Sequence, residues 1–200
     1  MDYKQSNLFL FPIGLGSTYI FYKKICGTFC SIDNDLEVNP YLTHGILMLT
    51  LVYFLSDFYL MIVKYNPKHN VYFVHHFIGI VSIYFSYMKY YYLIKYLFAY
   101  LTFELSTPFL NIAIKYRNQG VYNKCSIFSE LAFFILFTVV RIIFGTYLWF
   151  VTSNTLSSIE YPYNYLIVLP TILQFLNYWW YYRILKILRA KLFGCINKED

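Results

Sequence analysis

The sequence has 200 residues, of which 59% are hydrophobic, 24% aromatic and 13% charged, with a formal net charge of +6. A water-soluble domain is charged at about a quarter of its residues, so this composition excludes an ordinary soluble fold and predicts an all-α, polytopic membrane protein. The basic residues fall in short strings between apolar stretches, not on one continuous face, which argues against a nucleic-acid partner.

The first 40 residues are predicted to hold one short span and a polar loop. Residues 8–22 are apolar, although Pro12 interrupts them, and no small-residue cleavage site follows. We interpret them as a short membrane span or a signal anchor. In the loop, the spacing of Cys26 and Cys30 permits a disulfide, and two free thiols are the alternative.

Five further apolar stretches are predicted to cross the bilayer, at 41–63, 71–88, 92–113, 126–150 and 163–188. The predicted organisation is therefore an N-terminal span and loop (1–40), a main membrane domain (41–188) and a basic tail (189–200). Lys and Arg number eleven in the loops and termini on one side of these spans and four on the other. This bias predicts six spans with both termini in the cytosol.

The stretch at 71–88 contains no Lys, Arg, Asp or Glu, yet His75 and His76 lie one turn inside its first end. Titratable groups are costly in hydrocarbon, so this pair indicates a functional site, where an imidazole can act as acid, base or nucleophile. Neighbours in a helix differ in direction by about 100°, so one histidine could face a cavity and the other a neighbouring helix. The alternative is that both are structural.

Several acids are predicted to lie at the depth of the histidines. With a rise of about 1.5 Å per residue, the histidines lie roughly 6–8 Å from the cytosolic ends of their spans, Asp57 about 9 Å, Glu104 about 13 Å and Glu130 about 6 Å. We therefore expect one polar layer, in which Asp57 or Glu104 orients an imidazole.

Arg141 is predicted to lie outside that layer, because the same rise places it about 22 Å into its span. An arginine cannot shed its charge, so it needs an acceptor inside the membrane. We expect structural pairing with Gln174, with a backbone carbonyl or with a lipid phosphate.

The stretch at 92–113 is predicted to kink. Pro108 has no backbone N–H and so frees the carbonyl of Glu104, and Ser106 and Thr107 could bond to the broken turn. Glu104 and Asn111 would then line one side of the kinked helix. The alternative is an inert, protonated glutamate beside a kink.

The candidate catalytic residues from this reasoning are His75, His76, Asp57 and Glu104. These side chains are acceptable zinc ligands, but adjacent histidines on one helix rarely chelate one ion, so no metal site is predicted. A small channel or proton-coupled transporter would need the polar layer to continue across the membrane, and only Arg141, Gln174 and Asn177 extend it.

Four short motifs carry a resemblance to a known family: FLSD at 54–57, FVHH at 73–76, FELSTPFLN at 103–111 and VR at 140–141. In this order and spacing the chain resembles the TLC-domain family, which includes the ceramide synthases. It is most similar to the branch of small TLC-domain-containing proteins, the group of transmembrane protein fifty-six. The resemblance covers about 41–188, which would then be the TLC domain.

The resemblance implies a six-helix bundle around a lipid-sized tunnel, with candidate lining residues Ser106, Pro108, Asn111, Arg141 and Gln174. From the ceramide synthases it also implies that His75 or His76 helps to move an acyl group from acyl-CoA to a sphingoid base. The implied partners are membrane lipids, acyl-CoA as a candidate substrate and a sphingoid base, with no separate cofactor. A homodimer is a candidate assembly, and the endoplasmic reticulum or a connected membrane is the expected location.

One departure leaves the function open. The ceramide synthases have further aspartates in the helix after the histidines, whereas this chain has Glu104-Leu-Ser-Thr-Pro-Phe there. That pattern resembles the non-synthase branch, whose members are linked to membrane lipid composition or protein trafficking. The expected function is therefore lipid metabolism or homeostasis, with ceramide-synthase-like acyl transfer if the protein is an enzyme. The alternative is a non-catalytic lipid-binding, trafficking or scaffold protein.

Overall fold

The computed structural model describes residues 10, 12–20, 40–65, 70–88, 93–159 and 163–192, and every regular element in these ranges is helical. In chain order the α-helices are α1 (12–20), α2 (Pro40–Val63), α3 (Asn70–Met88), α4 (Ile94–Leu101), α5 (Thr107–Asn118), α6 (Lys124–Leu136), α7 (Gly145–Ser157) and α8 (Val168–Leu192). Two 3-10 helices, Thr102–Leu105 and Tyr163–Ile167, and one π-helix, Phe137–Phe144, join some of them. Cys26, Cys30 and the tail beyond residue 192 lie outside the described residues.

These elements form six helical rods, because some follow one another without a loop. The α4 and α5 helices make one rod through the 3-10 helix Thr102–Leu105, and α6 and α7 make another through the π-helix. Within the described ranges, three helices are long and apolar enough to cross a membrane: Tyr41–Val63, Ile94–Asn118 and Lys124–Ser157. The predicted all-α, polytopic membrane fold with six helices is thus confirmed.

The outer faces of the rods are strongly apolar. Large hydrophobic side chains that are at least half exposed include Ile62, Phe128, Ile135, Ile143 and Phe150. A soluble protein rarely leaves so much contiguous apolar surface in water. These faces are therefore suited to contact with lipid tails, while the two histidines of α3 and Glu104 lie inside the bundle.

The α3 helix lies at the centre of the packing, against α2, α4 and α8. On one side a core of buried side chains joins α1, α2, α3 and α4, and its members include Ile13, Leu47, Phe54, Ile83 and Phe98. On the other side a smaller cluster joins Ile78 of α3 to Phe103 and to Leu173 of α8. Burial on both sides fixes the direction in which each α3 side chain points.

Two irregular segments face each other beside the histidine end of α3. One is the 3-10 helix Thr102–Leu105, which is followed by a bend at Ser106 and by Pro108 in the first turn of α5. The other is the π-helix Phe137–Phe144, which packs against it. Both segments depart from α-helical hydrogen bonding, and π-helical segments in particular recur at functional sites.

The α5 and α6 helices are joined by a tight polar turn. Gly120 has φ +65°, a left-handed conformation that glycine adopts without strain. Its N–H donates to the Arg117 carbonyl, and the Val121 N–H donates to the Tyr116 carbonyl, both at 3.1 Å. These two bonds form a Schellman motif, which ends α5 so that α6 can pack back against it.

Candidate functional site

The imidazole of His76 bridges α3 to α2. Its Nδ1 lies 2.9 Å from the Tyr72 carbonyl, and its Nε2 lies 3.0 Å from Asp57 Oδ2. A carbonyl can only accept, so Nδ1 must carry a hydrogen. Nε2 is within ion-pair distance of the Asp57 carboxyl group, although the contact does not have hydrogen-bond geometry. Both nitrogens of His76 are therefore engaged with protein groups.

The imidazole of His75 points away from that pair, toward Glu104. Its Nε2 lies 3.6 Å from Glu104 Oε1, and the two side chains are only 13% and 6% exposed. The contact is longer than an ordinary hydrogen bond, and such contacts can tighten when substrate is bound. The Nδ1 atom of His75 is buried and has no hydrogen-bond partner among the described residues. His75 thus keeps one nitrogen for a ligand.

Aromatic rings hold the two imidazoles in place. The Phe54 ring centroid lies 5.3 Å from that of His76 and 6.2 Å from that of His75, edge-on to both. Trp180 of α8 packs edge-on against His75 at 5.6 Å and stacks on Tyr72 at 5.8 Å. The histidines are therefore enclosed between α2 and α8, and their rings have little freedom to turn.

Glu104 is positioned by the broken turn in which it lies. Thr107 Oγ1 donates to Glu104 Oε2 at 3.0 Å, and Arg141 Nη2 lies 4.0 Å from Oε1. The carboxylate therefore has a hydroxyl on one oxygen, with the imidazole of His75 and a guanidinium near the other. Such an arrangement can hold a negative charge inside the membrane.

The Arg141 side chain supports the same turn from the π-helix. Its Nε and Nη2 atoms both donate to the Phe103 carbonyl, at 3.1 and 2.9 Å. Nε also donates to Ser106 Oγ at 3.1 Å, and Nη2 to Thr107 Oγ1 at 2.9 Å. A planar guanidinium can direct two different nitrogens at one carbonyl, which the single nitrogen of a lysine side chain cannot do.

The predicted depth of Arg141 was wrong. Because its guanidinium lies 4.0 Å from Glu104, Arg141 belongs to the polar layer and not to the opposite leaflet. The depth estimate assumed that the span begins near Ser126. The rod is 34 residues long, however, or about 50 Å, whereas the hydrocarbon core is about 30 Å thick. A rod of this length exceeds the hydrocarbon core, so a count from its first residue does not give the depth of Arg141.

Glu130, which was predicted to lie at the depth of the histidines, pairs with basic side chains and with neither histidine. Its carboxylate pairs with Lys191 of α8, at 2.7 and 2.9 Å, and with Arg117 of α5 at 3.4 Å. All three side chains are partly exposed. Glu130 thus ties together the basic ends of three rods and is not part of the histidine layer.

A buried amide chain continues from Arg141 into α8. Gln174 Nε2 donates to the Arg141 backbone carbonyl and to Thr146 Oγ1, each at 3.3 Å. Asn177 Nδ2 in turn donates to Gln174 Oε1 at 3.4 Å. Of the three acceptors predicted for Arg141, the guanidinium binds a backbone carbonyl, that of Phe103, whereas Gln174 contacts the main chain of Arg141.

An open cavity begins at the histidine layer, with a volume of about 810 Å³ that includes the solvent-open space at its mouth. Its wall includes His75, Phe103 and Glu104 at one end and continues along α3 through Ser82 to Ser86. Ser86 lies eleven residues after His75, which corresponds to about 16 Å of helix. Most of the wall is apolar, so the cavity combines a hydrocarbon-like channel with two ionisable groups at one end.

The predicted site residues divide between this cavity and its surroundings. His75 and Glu104 line the cavity, whereas His76 and Asp57 form the bridge behind it. The five candidate lining residues belong to other positions: Ser106, Pro108, Arg141 and Gln174 are buried around the broken turn, Asn111 is half-buried in α5, and none is in this wall. The sequence did not single out Tyr100 and Thr152, which do line the cavity.

The arrangement suits general-base or nucleophilic chemistry at His75. A carboxylate that accepts from Nε2 favours the tautomer in which Nδ1 carries the lone pair. In the ranges that the structure describes, no three His, Cys, Asp or Glu side chains converge as a metal ion would need. The chemistry that these residues themselves offer is proton transfer or transfer of a group to nitrogen.

Comparison with protein families gives a match that covers nearly the whole chain. The family model of the TLC domain matches residues 5–186. The match includes all four motifs noted in the sequence and extends back through the N-terminal span.

Proposed function

Since the chain belongs to the TLC-domain family of membrane proteins, we propose that it binds a lipid in the cavity beside α3 and transfers an acyl group from acyl-CoA through His75. The observation that carries this proposal is the place of His75, which lines a largely apolar cavity with one buried nitrogen unbonded to any described residue. The family supports a lipid-related role, and the cavity supplies a space for a hydrocarbon chain.

In the proposed reaction, the free nitrogen of His75 attacks the thioester carbon of acyl-CoA. A C–N bond forms, the C–S bond breaks, and the thiol of coenzyme A leaves with the imidazole proton. An amine or hydroxyl of the acceptor lipid then takes the acyl group from the imidazole and gives up a proton, which regenerates His75. Glu104 orients the imidazole and stabilises the positive charge that the ring carries between the attack and the loss of its proton. The His76–Asp57 bridge fixes the helix that carries His75.

The proposed orientation places the histidine end of the cavity toward the cytosol, with both termini on that side, in the endoplasmic reticulum or a connected membrane. The support is the excess of Lys and Arg, eleven against four, on the side from which α3 starts. A water-soluble acyl-CoA would then reach His75 directly, while its chain enters the membrane.

The test is intact-mass spectrometry of the protein, purified in mild detergent and incubated with a panel of acyl-CoAs. We expect a hydroxylamine-sensitive acyl adduct on the wild type and on His44→Gln, a matched histidine outside the cavity wall. The adduct should be absent from His75→Gln. Its persistence in His75→Gln would overturn the assignment of His75.

The second candidate function is lipid binding without catalysis, which the largely apolar wall of the cavity favours. In that case the same experiment gives no adduct, and lipid co-purifies equally with the wild type and with His75→Gln. If neither an adduct nor bound lipid is found, both candidate functions fail.

A further inference from the structure

The cavity wall also contains polar groups that the proposed chemistry does not use. Tyr100 of α4 and Thr152 of α7 both line it, and Thr152 is 5% exposed. Their hydroxyls are neighbours, yet each is buried without a hydrogen bond of acceptable geometry to any described residue. A buried hydroxyl that lacks a partner is costly, so two that face one cavity indicate a partner inside it.

The neighbouring pair on the same two helices shows what a closed contact looks like. Tyr96, one turn before Tyr100, places its hydroxyl 3.0 Å from Thr155 Oγ1, one turn after Thr152. The α4–α7 contact can therefore bring a tyrosine and a threonine into hydrogen-bond range. At Tyr100 and Thr152 the two hydroxyls are also neighbours, but their contact lacks hydrogen-bond geometry, and both lie beside the cavity.

The position of Tyr100 and Thr152 indicates which part of a bound ligand would contact their hydroxyls. Tyr100 precedes Glu104 by one turn, which corresponds to about 6 Å along the helix. A ligand whose head lies at His75 and Glu104 would therefore pass Tyr100 and Thr152 with the first part of its hydrocarbon chain. Leu97, Leu101 and Leu173 also line the wall there, so a purely apolar chain would leave both hydroxyls unbonded.

We propose that Tyr100 and Thr152 form a second polar subsite that binds an oxygen atom carried within the ligand's chain, such as a chain hydroxyl. This inference rests on the proposed function, because it narrows the class of lipid that the same cavity takes. A chain hydroxyl can accept from one protein hydroxyl and donate to the other, so it satisfies both buried groups at once.

The test compares the binding of octadecan-1-ol with that of a series of its derivatives that carry one additional hydroxyl at different chain positions. Radiolabelled probes are added to the full chain in lipid nanodiscs. The proteins compared are the wild type, the double variant Tyr100→Phe/Thr152→Val, and the control Thr138→Val/Tyr147→Phe. Thr138 already donates to the Phe134 carbonyl, Tyr147 is 63% exposed, and neither lines the cavity. Each probe also dissolves in the nanodisc lipid, to the same extent for every protein. The ratio of its apparent dissociation constants for two proteins is therefore independent of that partition.

We expect at least one hydroxylated probe to bind about five- to tenfold more tightly to the wild type and the control than to the double variant. Octadecan-1-ol should bind the double variant at least as tightly as the wild type. If the double variant does not fold, Thr152→Val alone should reduce the preference and Thr152→Ser, which keeps the hydroxyl, should retain it.

Two results would overturn the inference, and they differ in what else they remove. If octadecan-1-ol binds but no hydroxylated probe distinguishes the proteins, the two hydroxyls hold water or serve packing only, and lipid binding in the cavity stands. If no probe binds the wild type above protein-free nanodiscs, the subsite and the proposed lipid-binding function fail together.

Discussion

Nε2 of His76 lies 3.0 Å from Oδ2 of Asp57, and this contact joins α3 to α2 directly behind the candidate site. His75, the next residue, faces Glu104 and the cavity instead. Two adjacent residues of one type therefore have different environments, and variants of each are expected to fail in different ways.

Replacing Asp57 tests the bridge. Asp57→Ala leaves the buried Nε2 of His76 without its carboxyl partner, so we expect the free energy of unfolding to fall by about 1–3 kcal/mol. Asp57→Asn keeps a polar group there and should lose less. Thermal unfolding in detergent measures both, with Ser56→Ala at the exposed neighbouring position as the control. Equal stabilities of wild type and Asp57→Ala would mean that the bridge is not stabilising.

Replacing Arg141 tests the support of the broken turn. Arg141→Lys retains the charge but loses the fork that binds the Phe103 carbonyl through two nitrogens. We expect it to lower the free energy of unfolding by roughly 2–4 kcal/mol and to weaken lipid binding, because Glu104 moves with the turn. Arg117→Lys is the matched control, since the Arg117 side chain is 47% exposed. The idea fails if the two variants are equally stable.

Replacing Gly79 tests the packing of the ring between the histidines. A Cβ at Gly79 would overlap the Phe54 ring, whose Cδ2 would be only 2.7 Å away. Gly79→Ala should therefore displace Phe54, reduce lipid binding and cost about 1–3 kcal/mol. Gly45→Ala is the control, because nothing lies within 4 Å of a Cβ built there. If both variants bind lipid like the wild type, the ring does not position the histidines.

Replacing Glu130 tests whether it is separate from the site. Its partners Arg117 and Lys191 are 47% and 35% exposed, and exposed pairs contribute little. We expect Glu130→Gln to change the free energy of unfolding by less than about 1 kcal/mol and to leave lipid binding unchanged. The same lipid-binding assay measures this, and a loss comparable to that of a Glu104 variant would place Glu130 back in the histidine layer.

The sequence predicts much of this arrangement, because the depth of a residue in the membrane can be estimated by counting residues from the end of its predicted span. The four candidate catalytic residues are each counted from the end of a short span, and the structure brings them together in two pairs. The count fails for Arg141, because its rod is longer than the bilayer core and its first residue is no guide to the membrane surface. A count of residues cannot reveal such an overhang.

Two other features have no signal in the sequence. The π-helix Phe137–Phe144 is a run of ordinary apolar residues around one arginine, and nothing in its spacing indicates a wider hydrogen-bonding pattern. Tyr100 is one of 24 tyrosines, so residue type alone could not single it out. It becomes notable only when its hydroxyl is seen beside a cavity without a described partner.

The π-helix also sets the angular register between the two ends of the candidate site. Arg141 lies within it, and Thr152 follows in α7, so the wider turns decide which way Thr152 faces relative to α6. A π-helical turn takes up about one extra residue, so removing Val139 should return the segment to α-helix and leave α6 and α7 in register. Phe150 lies in regular α-helix, where no wide turn can absorb a lost residue. Removing Phe150 should therefore rotate Thr152 by about 100° away from the cavity. Comparing the stability of these two deletion variants would show whether the rod tolerates the loss of a residue only at this point.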